Sequence, residues 1–526
     1  MTDADDFPLT GNAFRSDWFE RQQAAAARHR LIPQKDWEAL AKDIKGGAEL
    51  HLPGTAWYDA NYRPQNHFYS YLLPAGIVRV LDQAKIHDLT DPQGLVNTAV
   101  GRAVRWARDH KMRIAVRSGG HSYAGFSATT GLLIDFGGQQ TVYEPTTDNK
   151  ITFGTGMQGR WLYPALRDRY PNAYIPTGRC PTVAIGGLAL GGGAGFLDRK
   201  WGLTCDQMLQ STMVTADGKV LVCDDRHEQD LFWAIRGAGQ GNFGIHTSFQ
   251  FQGQPLPTAG NGGIATFFKI TWNIEDAFPL IDLVQNIVQE KDKEFDKIEG
   301  RLGISTYGLE KEEIEKNLNT NIIGIYHGGK DEFEDLFEPL IRGPVSPVEV
   351  ELAEGPLAEF LSESYAFQTI PTVKYTSKSG VVDRPFSPDA AQKIIDWVKR
   401  WPGSAHPTEG GGVALFTLGG AINRKAPDET AFFHRRGIFF FNIDASFAEE
   451  DPRQGAVLNW AQDFYLDMRE HRYISEHCYQ SFPDRSLADW EHAYYGTNYP
   501  KLQRIKAHYD PENFFQYAQS IRPTTG

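Results

Sequence analysis

His121 and Cys180 are the two side chains best placed to bond an electrophilic ring covalently, because each stands in a glycine-rich frame. The first frame reads Arg113-Ile114-Ala115-Val116-Arg117-Ser118-Gly119-Gly120-His121-Ser122-Tyr123, a β-branched strand that runs into a turn with two glycines. Such a turn exposes consecutive backbone N–H groups and can cradle a diphosphate. The second reads Thr177-Gly178-Arg179-Cys180-Pro181-Thr182-Val183-Ala184-Ile185-Gly186-Gly187, followed by Leu188-Ala189-Leu190-Gly191-Gly192-Gly193-Ala194-Gly195. Glycine at that density costs chain entropy unless something must approach the backbone closely. Taken alone, His121 reads as a turn histidine and Cys180 as a small buried hydrophobe. Inside their two frames they read as the attachment points of one flavin, and the protein as an oxidase.

At these residues the chain resembles the berberine bridge enzyme-like FAD-linked oxidases of the vanillyl alcohol oxidase superfamily, also described by its PCMH-type FAD-binding domain. The likeness is to bacterial-type oxidases of small molecules or oligosaccharides. It extends to the tail, with Tyr494-Tyr495-Gly496-Thr497-Asn498, Leu502, Lys506, Tyr509-Asp510-Pro511, Asn513, Phe515 and Gln519-Ser520-Ile521 in order. The resemblance implies FAD bonded twice, through its 8α-methyl to His121 and through its C6 to Cys180. It implies further FAD contacts from Arg117, Ser118, Gly119, Gly120, Ser122, Ser127, Thr182, Val183, Gly186, Gly187, Gly192, Gly195, Ile245, Tyr495, Asn498 and Asn513. Two electron-withdrawing links raise a flavin's potential and suit demanding substrates.

Flavin oxidation needs the substrate C–H held over the ring and usually a base for the accompanying proton. Relatives of this kind often carry Tyr-x-Asn-Tyr, with the second tyrosine as base, but here the stretch is Tyr479-Gln480-Ser481-Phe482. A second family tyrosine is replaced by Leu418, before Gly419-Gly420. Read as a strand, 478–482 puts Tyr479 on the face opposite Phe482, with Cys478 and Gln480 on Phe482's side. Tyr479 and Phe482 therefore mark the family's catalytic place, while Tyr326, His327, His434 and Asp444 are the candidate replacement bases. The alternative is a substrate that needs none, such as an amine or an acidic phenol. Val183 takes the family's oxygen-gating place, where a short side chain favours O2 as acceptor. His434-Arg435-Arg436 resembles a family Pro-His-Arg element, with Phe433 for proline, and reads equally as an ion-pairing or a substrate-contacting element.

These residues need a sizeable scaffold. A chain of 526 residues exceeds one ordinary core, and 41% hydrophobic with 23% charged residues is normal for a globular protein. A formal charge of −13 argues against nucleic acid or an anionic membrane as partner. The start lacks a basic segment followed by an apolar one, and no apolar run is long enough to span a bilayer, which predicts a cytoplasmic protein. The four cysteines, Cys180, Cys205, Cys223 and Cys478, show neither Cys-x-x-Cys nor zinc spacing, and His-Glu-x-x-His is absent, so no metal site is expected.

The elements predict an α+β protein. A Gln/Ala-rich helix is expected near Trp18 to His29, within an N-terminal extension over 1–74 that packs on the FAD domain. The two-part PCMH-type FAD-binding domain follows over 75–255. Its first helix begins at Pro92, with Val96, Val100, Ala103, Val104 and Ala107 on one face. Gly239-Gln240-Gly241-Asn242-Phe243-Gly244 matches the Rossmann string but precedes a strand where that fingerprint opens a helix, which argues against NAD, and the resemblance implies that this stretch packs on FAD. Long strands alternating with helices over 256–475 predict a substrate domain with a large antiparallel sheet backed by helices. The resemblance implies that residues 476–526 return to the FAD domain. The expected function is an FAD oxidase that takes a hydride from an alcohol or amine carbon of a small molecule, with O2 as acceptor and H2O2 as product. A natural-product intermediate is favoured by the loss of both family tyrosines and by the aromatic run Ile438-Phe439-Phe440-Phe441. An oligosaccharide lactol is the alternative, and an FAD dehydrogenase or a non-catalytic flavin protein the further ones. The chain is expected as a monomer or homodimer.

Overall fold

Apolar residues at 96, 100, 103, 104 and 107 recur at helical spacing, and a computed structural model of the chain has a helix there, Pro92–Asp109. The Asp91 side chain caps it by accepting from the Gly94 N–H at 2.8 Å. All five apolar residues are fully buried, worth about 1.5–3 kcal/mol for each valine. The stripe is buried between two sheets, and this places the strand after it, Ile114–Arg117, so that it delivers Ser118 to His121 into a cavity. The structure describes residues 27, 30–82, 91–142, 148–169, 173–255, 263–289, 297–343, 345–362, 374–404, 410–448 and 450–524. The helix expected near Trp18 to His29 lies outside them, save Ala27.

The first sheet has the order β1-β2-β4-β3, from β1 (Ala48–His51), β2 (Gly76–Val80), β3 (Ile114–Arg117) and β4 (Leu132–Asp135). β1 pairs antiparallel with β2, and β2 and β3 lie parallel to β4. This sheet runs across the division expected at residues 74 and 75, because residues 48–51 supply its edge. The second sheet, β5-β8-β6-β7, is antiparallel and is built from β5 (Lys150–Gly154), β6 (Met208–Val214), β7 (Val220–Asp224) and β8 (Ile245–Gln252).

The third sheet is the large antiparallel one, with the order β12-β9-β11-β10-β14-β15-β13. Its strands are β9 (Ile264–Asn273), β10 (Ile298–Tyr307), β11 (Asn319–Tyr326), β12 (Glu349–Pro356), β13 (Lys374–Val382), β14 (Gly410–Thr417) and β15 (Phe439–Phe447). Alternation along β10, β14 and β15 sends Leu302, Leu415, Phe439, Phe441 and Ile443 to one face, where they join the core under helices Ala277–Gln289, Pro388–Lys399 and Gln454–Glu470. The opposite face carries Arg301, Ala414, Phe416, Asn442 and Asp444. These turn toward the cofactor half.

The tail packs back on that half. Phe515 joins the core around the 92–109 helix. The fully buried Lys506 ammonium bonds Asp510 and the Phe515 carbonyl, both at 2.7 Å, and the Asn242 carbonyl. Among the described residues no helix is long and apolar enough to cross a membrane.

Candidate active site

The two glycine-rich frames meet because side chains are missing where they touch. A Cβ on Gly119 would lie 2.7 Å from the Ala184 nitrogen, and one on Gly186 would lie 2.4 Å from the Ser118 hydroxyl oxygen. With the loops closed together, the Thr182 hydroxyl sits 3.0 Å from His121 Nε2 and 3.3 Å from Cys180 Sγ. Thr182 thus bridges the two attachment candidates from behind and does not line the cavity. Burial holds the His121 imidazole down to about 4, so at neutral pH the ring is uncharged and keeps a nucleophilic nitrogen.

Between these loops and the large sheet lies a cavity of about 450 Å³. His121, Cys180, Ser118, Gly119, Gly120, Ser122, Ser127, Val183, Gly186 and Gly187 all line it. The Ser127 hydroxyl is buried there without a hydrogen-bond partner, as befits a wall that holds a polar ligand. Gln240, Gly241 and Gly244 line it too, so the Rossmann-like string does face this cavity. The residues fit a flavin nucleotide: a backbone cradle at 118–120, two bonding side chains at 121 and 180, and an unfilled polar wall.

Other expected contacts lie elsewhere. Arg117 turns away to the buried Asp135 carboxylate and to the Asn61 and Tyr62 carbonyls. Gly192 and Gly195 are needed for packing, since a Cβ would meet the Phe432 ring at 2.6 Å and the Thr177 carbonyl oxygen at 1.6 Å. Ile245 is a core residue under the 92–109 helix. Tyr495 braces the approach to Gly239 by donating to the Ala238 carbonyl at 2.7 Å, and Asn498 donates to the Pro427 carbonyl at 2.8 Å. Asn513 lies in the tail loop in a left-handed conformation, φ 51°, also outside the cavity wall. The sequence reading missed Phe126 and Tyr517, whose rings meet at 4.6 Å on the wall. The signal for Tyr517 was its place between Phe515 and Gln519 in the tail motif.

The candidate bases separate clearly. Tyr326 is fully buried among Phe333 and Phe337. His327 is buried against Trp201, and His434 is packed between Phe432, Phe433 and His477, with burial holding it to about 3. None of the three reaches the cavity. Arg435 forms a buried two-pronged ion pair with Asp206, at 2.7 and 2.8 Å, so the His-Arg-Arg element has its structural reading.

Tyr479 and Phe482 both line the cavity, against the strand reading that set them on opposite faces. The stretch is a turn, closed by the Phe482 N–H donating to the Tyr479 carbonyl at 2.9 Å, so alternation does not apply. Cys478 instead meets the Tyr465 hydroxyl, and Gln480 donates to the Gly237 carbonyl. The Tyr479 hydroxyl accepts from the N–H groups of Gly193 and Ala194, at 3.1 and 3.4 Å, and its ring stacks on Phe440 at 4.4 Å. That phenol is committed to holding the glycine run.

Asp444 is the one candidate replacement base in the cavity wall. One of its oxygens accepts from the Asn442 amide, which is oriented by the Ser377 hydroxyl at 2.8 Å, and the other oxygen is buried without a partner. Burial pushes the Asp444 carboxyl up, while the hydrogen bonds around it and the Arg301 charge pull it back. Away from the cavity, Glu476, His477 and His492 bring three potential metal-ligating atoms within 4.8 Å of one another at the surface, a grouping the sequence spacing did not show.

Comparison with known proteins agrees with this geometry. The FAD binding domain family matches residues 97–224, and the family "Berberine and berberine like" matches residues 478–522. The uncharacterized FAD-linked oxidoreductase YvdP of Bacillus subtilis (strain 168) is 31% identical over 434 residues, 81% of this chain and 90% of that protein. YgaK of the same organism, with the same description, is 29% identical over 433 residues, 80% of this chain and 88% of its own. Among solved structures, wild-type Physcomitrella patens BBE-like 1 superposes with a TM-score of 0.78 at 25% identity, covering 93% of this chain and 100% of that one.

Proposed function

The chain belongs to the berberine bridge enzyme-like family of FAD-linked oxidoreductases, and from that premise we propose an oxidase acting on an alcohol carbon of a polar, hydroxylated small molecule, with FAD bonded through His121 and Cys180. The observation that carries this reading is Asp444, a carboxylate in the wall of the cavity that both attachment candidates enter. A base is what the loss of the family tyrosine at Phe482 leaves to be supplied.

The polarity of the sheet wall supports a hydroxylated substrate. The sequence favoured a hydrophobic one because of the run Ile438-Phe439-Phe440-Phe441, but Phe439 and Phe441 face the helices and Phe440 lies under Tyr479. What lines the cavity from the sheet is Arg301, Ala414, Phe416 and Asp444. A flat ring at Phe416 beside fixed polar groups suits a sugar lactol or similar polyol better than a polycyclic intermediate.

In the proposed reaction Asp444 takes the substrate hydroxyl proton while a hydride leaves the carbon that bears this hydroxyl, converting the alcohol to a carbonyl, or a lactol to a lactone. FAD held at His121 and Cys180 would supply the two-electron acceptor for that hydride, with O2 and two protons yielding H2O2 as the balancing half-reaction. Ser377 and Asn442 hold the carboxylate in place, and Thr182 fixes His121 against Cys180. Val183 lines the cavity with its N–H donating to the Cys180 carbonyl at 3.2 Å, and its short side chain supports O2 as the acceptor.

The direct test is anaerobic bleaching of the bound flavin by mono- and oligosaccharides beside phenolic, polycyclic and amine-bearing alcohols. Bleaching by the sugars or related polyols is expected, and bleaching only by the second group would overturn the reading. On re-aeration, Val183→Leu is expected to slow reoxidation more than reduction. Equal effects would remove the argument for O2 over another acceptor.

A further inference from the structure

Glu476, His477 and His492 stand away from the cavity, where the segment entering the 479–482 turn meets the helix Trp490–Tyr495. Backbone hydrogen bonds fix that meeting on both sides. The Ser475 N–H donates to the Val381 carbonyl and the Val381 N–H to the His477 carbonyl, both at 2.9 Å, which ties the segment to the end of β13. The Cys478 N–H donates to the Ala493 carbonyl at 2.9 Å, which ties it to the helix. His477 and His492 flank that last bond, and their rings lie with centres 5.1 Å apart and planes at 37°. No short motif announces the grouping, because residues 477 and 492 meet only through this pairing.

A surface ion pair accounts for two of the three side chains. His492 Nε2 lies 2.9 Å from Glu476 Oε1, and with 52% and 63% of these side chains exposed, the pair by itself adds little stability. His477 is brought to them independently. Its half-buried ring is wedged against Phe433, at 4.9 Å between centres, and His434, at 5.9 Å, and its Nδ1 is buried without a hydrogen-bond partner among the described residues.

One ligand atom from each of the three residues lies within 4.8 Å of the other two. Two imidazole nitrogens and a carboxylate oxygen are a donor set that zinc and neighbouring first-row dications prefer, whereas magnesium and calcium prefer oxygen alone. Zinc sits about 2.0–2.2 Å from such atoms, so side-chain shifts of under about 1 Å would close the three on it and leave a fourth position for water. The exposed faces of Glu476 and His492 give the ion its way in.

We propose that Glu476, His477 and His492 form a binding site for a zinc-like divalent cation, which clips the segment before the Tyr479 turn to the helix that carries Tyr494 and Tyr495. The site shares no residue with the cavity wall and does not depend on the oxidase reading.

The test uses the flavin-loaded protein, treated with a chelator and then titrated calorimetrically with Zn²⁺. One equivalent is expected to bind, an excess of Mg²⁺ is expected not to compete, and Tm is expected to rise as the site fills. His492→Ala and Glu476→Gln, both at exposed positions, are each expected to weaken binding at least about tenfold and to remove the rise in Tm. His227→Ala, which breaks another exposed histidine–carboxylate pair, that with Asp224 at 2.9 Å, is expected to change neither. Absence of Zn²⁺ binding or of the Tm rise in the wild type, or binding that survives either of the first two substitutions, overturns the proposal. Anomalous diffraction from wild-type crystals soaked in Zn²⁺ needs no variant: a peak among the three side chains is expected, and peaks only elsewhere would overturn the proposal even if a variant failed to fold.

Discussion

The wall that carries His121 and Cys180 is made largely of backbone, whereas the wall that carries Asp444 and Arg301 is made of side chains. On the first, two loops close because Gly119 and Gly186 present no Cβ to each other's chain. On the second, strands β10, β14 and β15 set Arg301 opposite Phe416 and Gly412 opposite Asp444. A loop wall of this kind depends on which residues lack a side chain. The sheet wall depends on register, since a slip of one residue would send Asp444 into the helix-packed core. One wall is therefore suited to a cofactor shared across a family, and the other to a substrate that changes while the cofactor stays.

The largest expected effect comes from removing charge from the sheet wall alone. Asp444→Asn should lower the rate of anaerobic flavin reduction by about 10²–10⁴-fold, the usual weight of a positioned base, with the flavin content unchanged. In the wild type the base must be ionised, and burial pushes the Asp444 carboxyl up. The rate should therefore fall with falling pH at a value above the ordinary carboxylate range, and this limb should be missing from the variant. A rate within a few-fold of wild type would move the base elsewhere.

The matching change on the loop wall is Gly119→Ala. Its Cβ would press on the Ala184 nitrogen at 2.7 Å and the Thr182 carbonyl oxygen at 3.0 Å, backbone atoms with little room to yield. An overpacked contact of this kind costs about 1–3 kcal/mol, and here it also moves Thr182 off His121 and Cys180. Acid-precipitated wild-type protein should stay yellow, and its digest should yield one flavin joined to both peptides. The variant should release flavin or keep a single link. If it keeps both, the two loops are not clamped by their glycines.

The difference between the walls also explains what the sequence could disclose. His121, Cys180 and the glycines around them are close neighbours along the chain, so short motifs reveal them. The amphipathic helix at 92–109 and the long strands of the large sheet are equally local patterns, and their faces follow from periodicity alone. Asp444, Arg301 and Phe416 come together only through pairing across β10, β14 and β15, and a single sequence does not carry that register. Asp444 could be named as one acid among several candidates but not chosen. The turn at 479–482 shows the limit of periodicity from the other side: treated as a strand it put Tyr479 opposite Phe482, while the hydrogen bond that closes it brings both to the cavity. The glycines carry a second signal of their own, since Gly192 and Gly195 are needed by the packing of Phe432 and Thr177.

That turn lies between the two walls, and Tyr479 belongs with the loops. Tyr479→Phe removes the acceptor of the Gly193 and Ala194 N–H groups, and leaving buried donors unpaired costs about 1–3 kcal/mol. The expected result is a lower Tm with the flavin reduction rate within a few-fold of wild type. A rate loss comparable to that of Asp444→Asn, at unchanged Tm, would return Tyr479 to the chemistry.

The smallest expected effect is that of restoring the family phenol with Phe482→Tyr. Phe482 meets Tyr123 edge-on at 5.2 Å and Tyr479 at 5.0 Å, and lies 5.7 Å from Phe416. Burial drives the phenols already in this neighbourhood, Tyr123, Tyr375 and Tyr479, above their ordinary range. A new hydroxyl among them would stay protonated at neutral pH, where it could donate a hydrogen bond but not take a proton. Flavin reduction by substrate should therefore stay within a few-fold of wild type with Tm unchanged, and its acidic pH limb should still belong to Asp444. If the variant instead gained a large rate that survived Asp444→Asn in the double mutant, the sheet wall would be a binding surface only, and the place of the base would lie on the turn that joins the two walls.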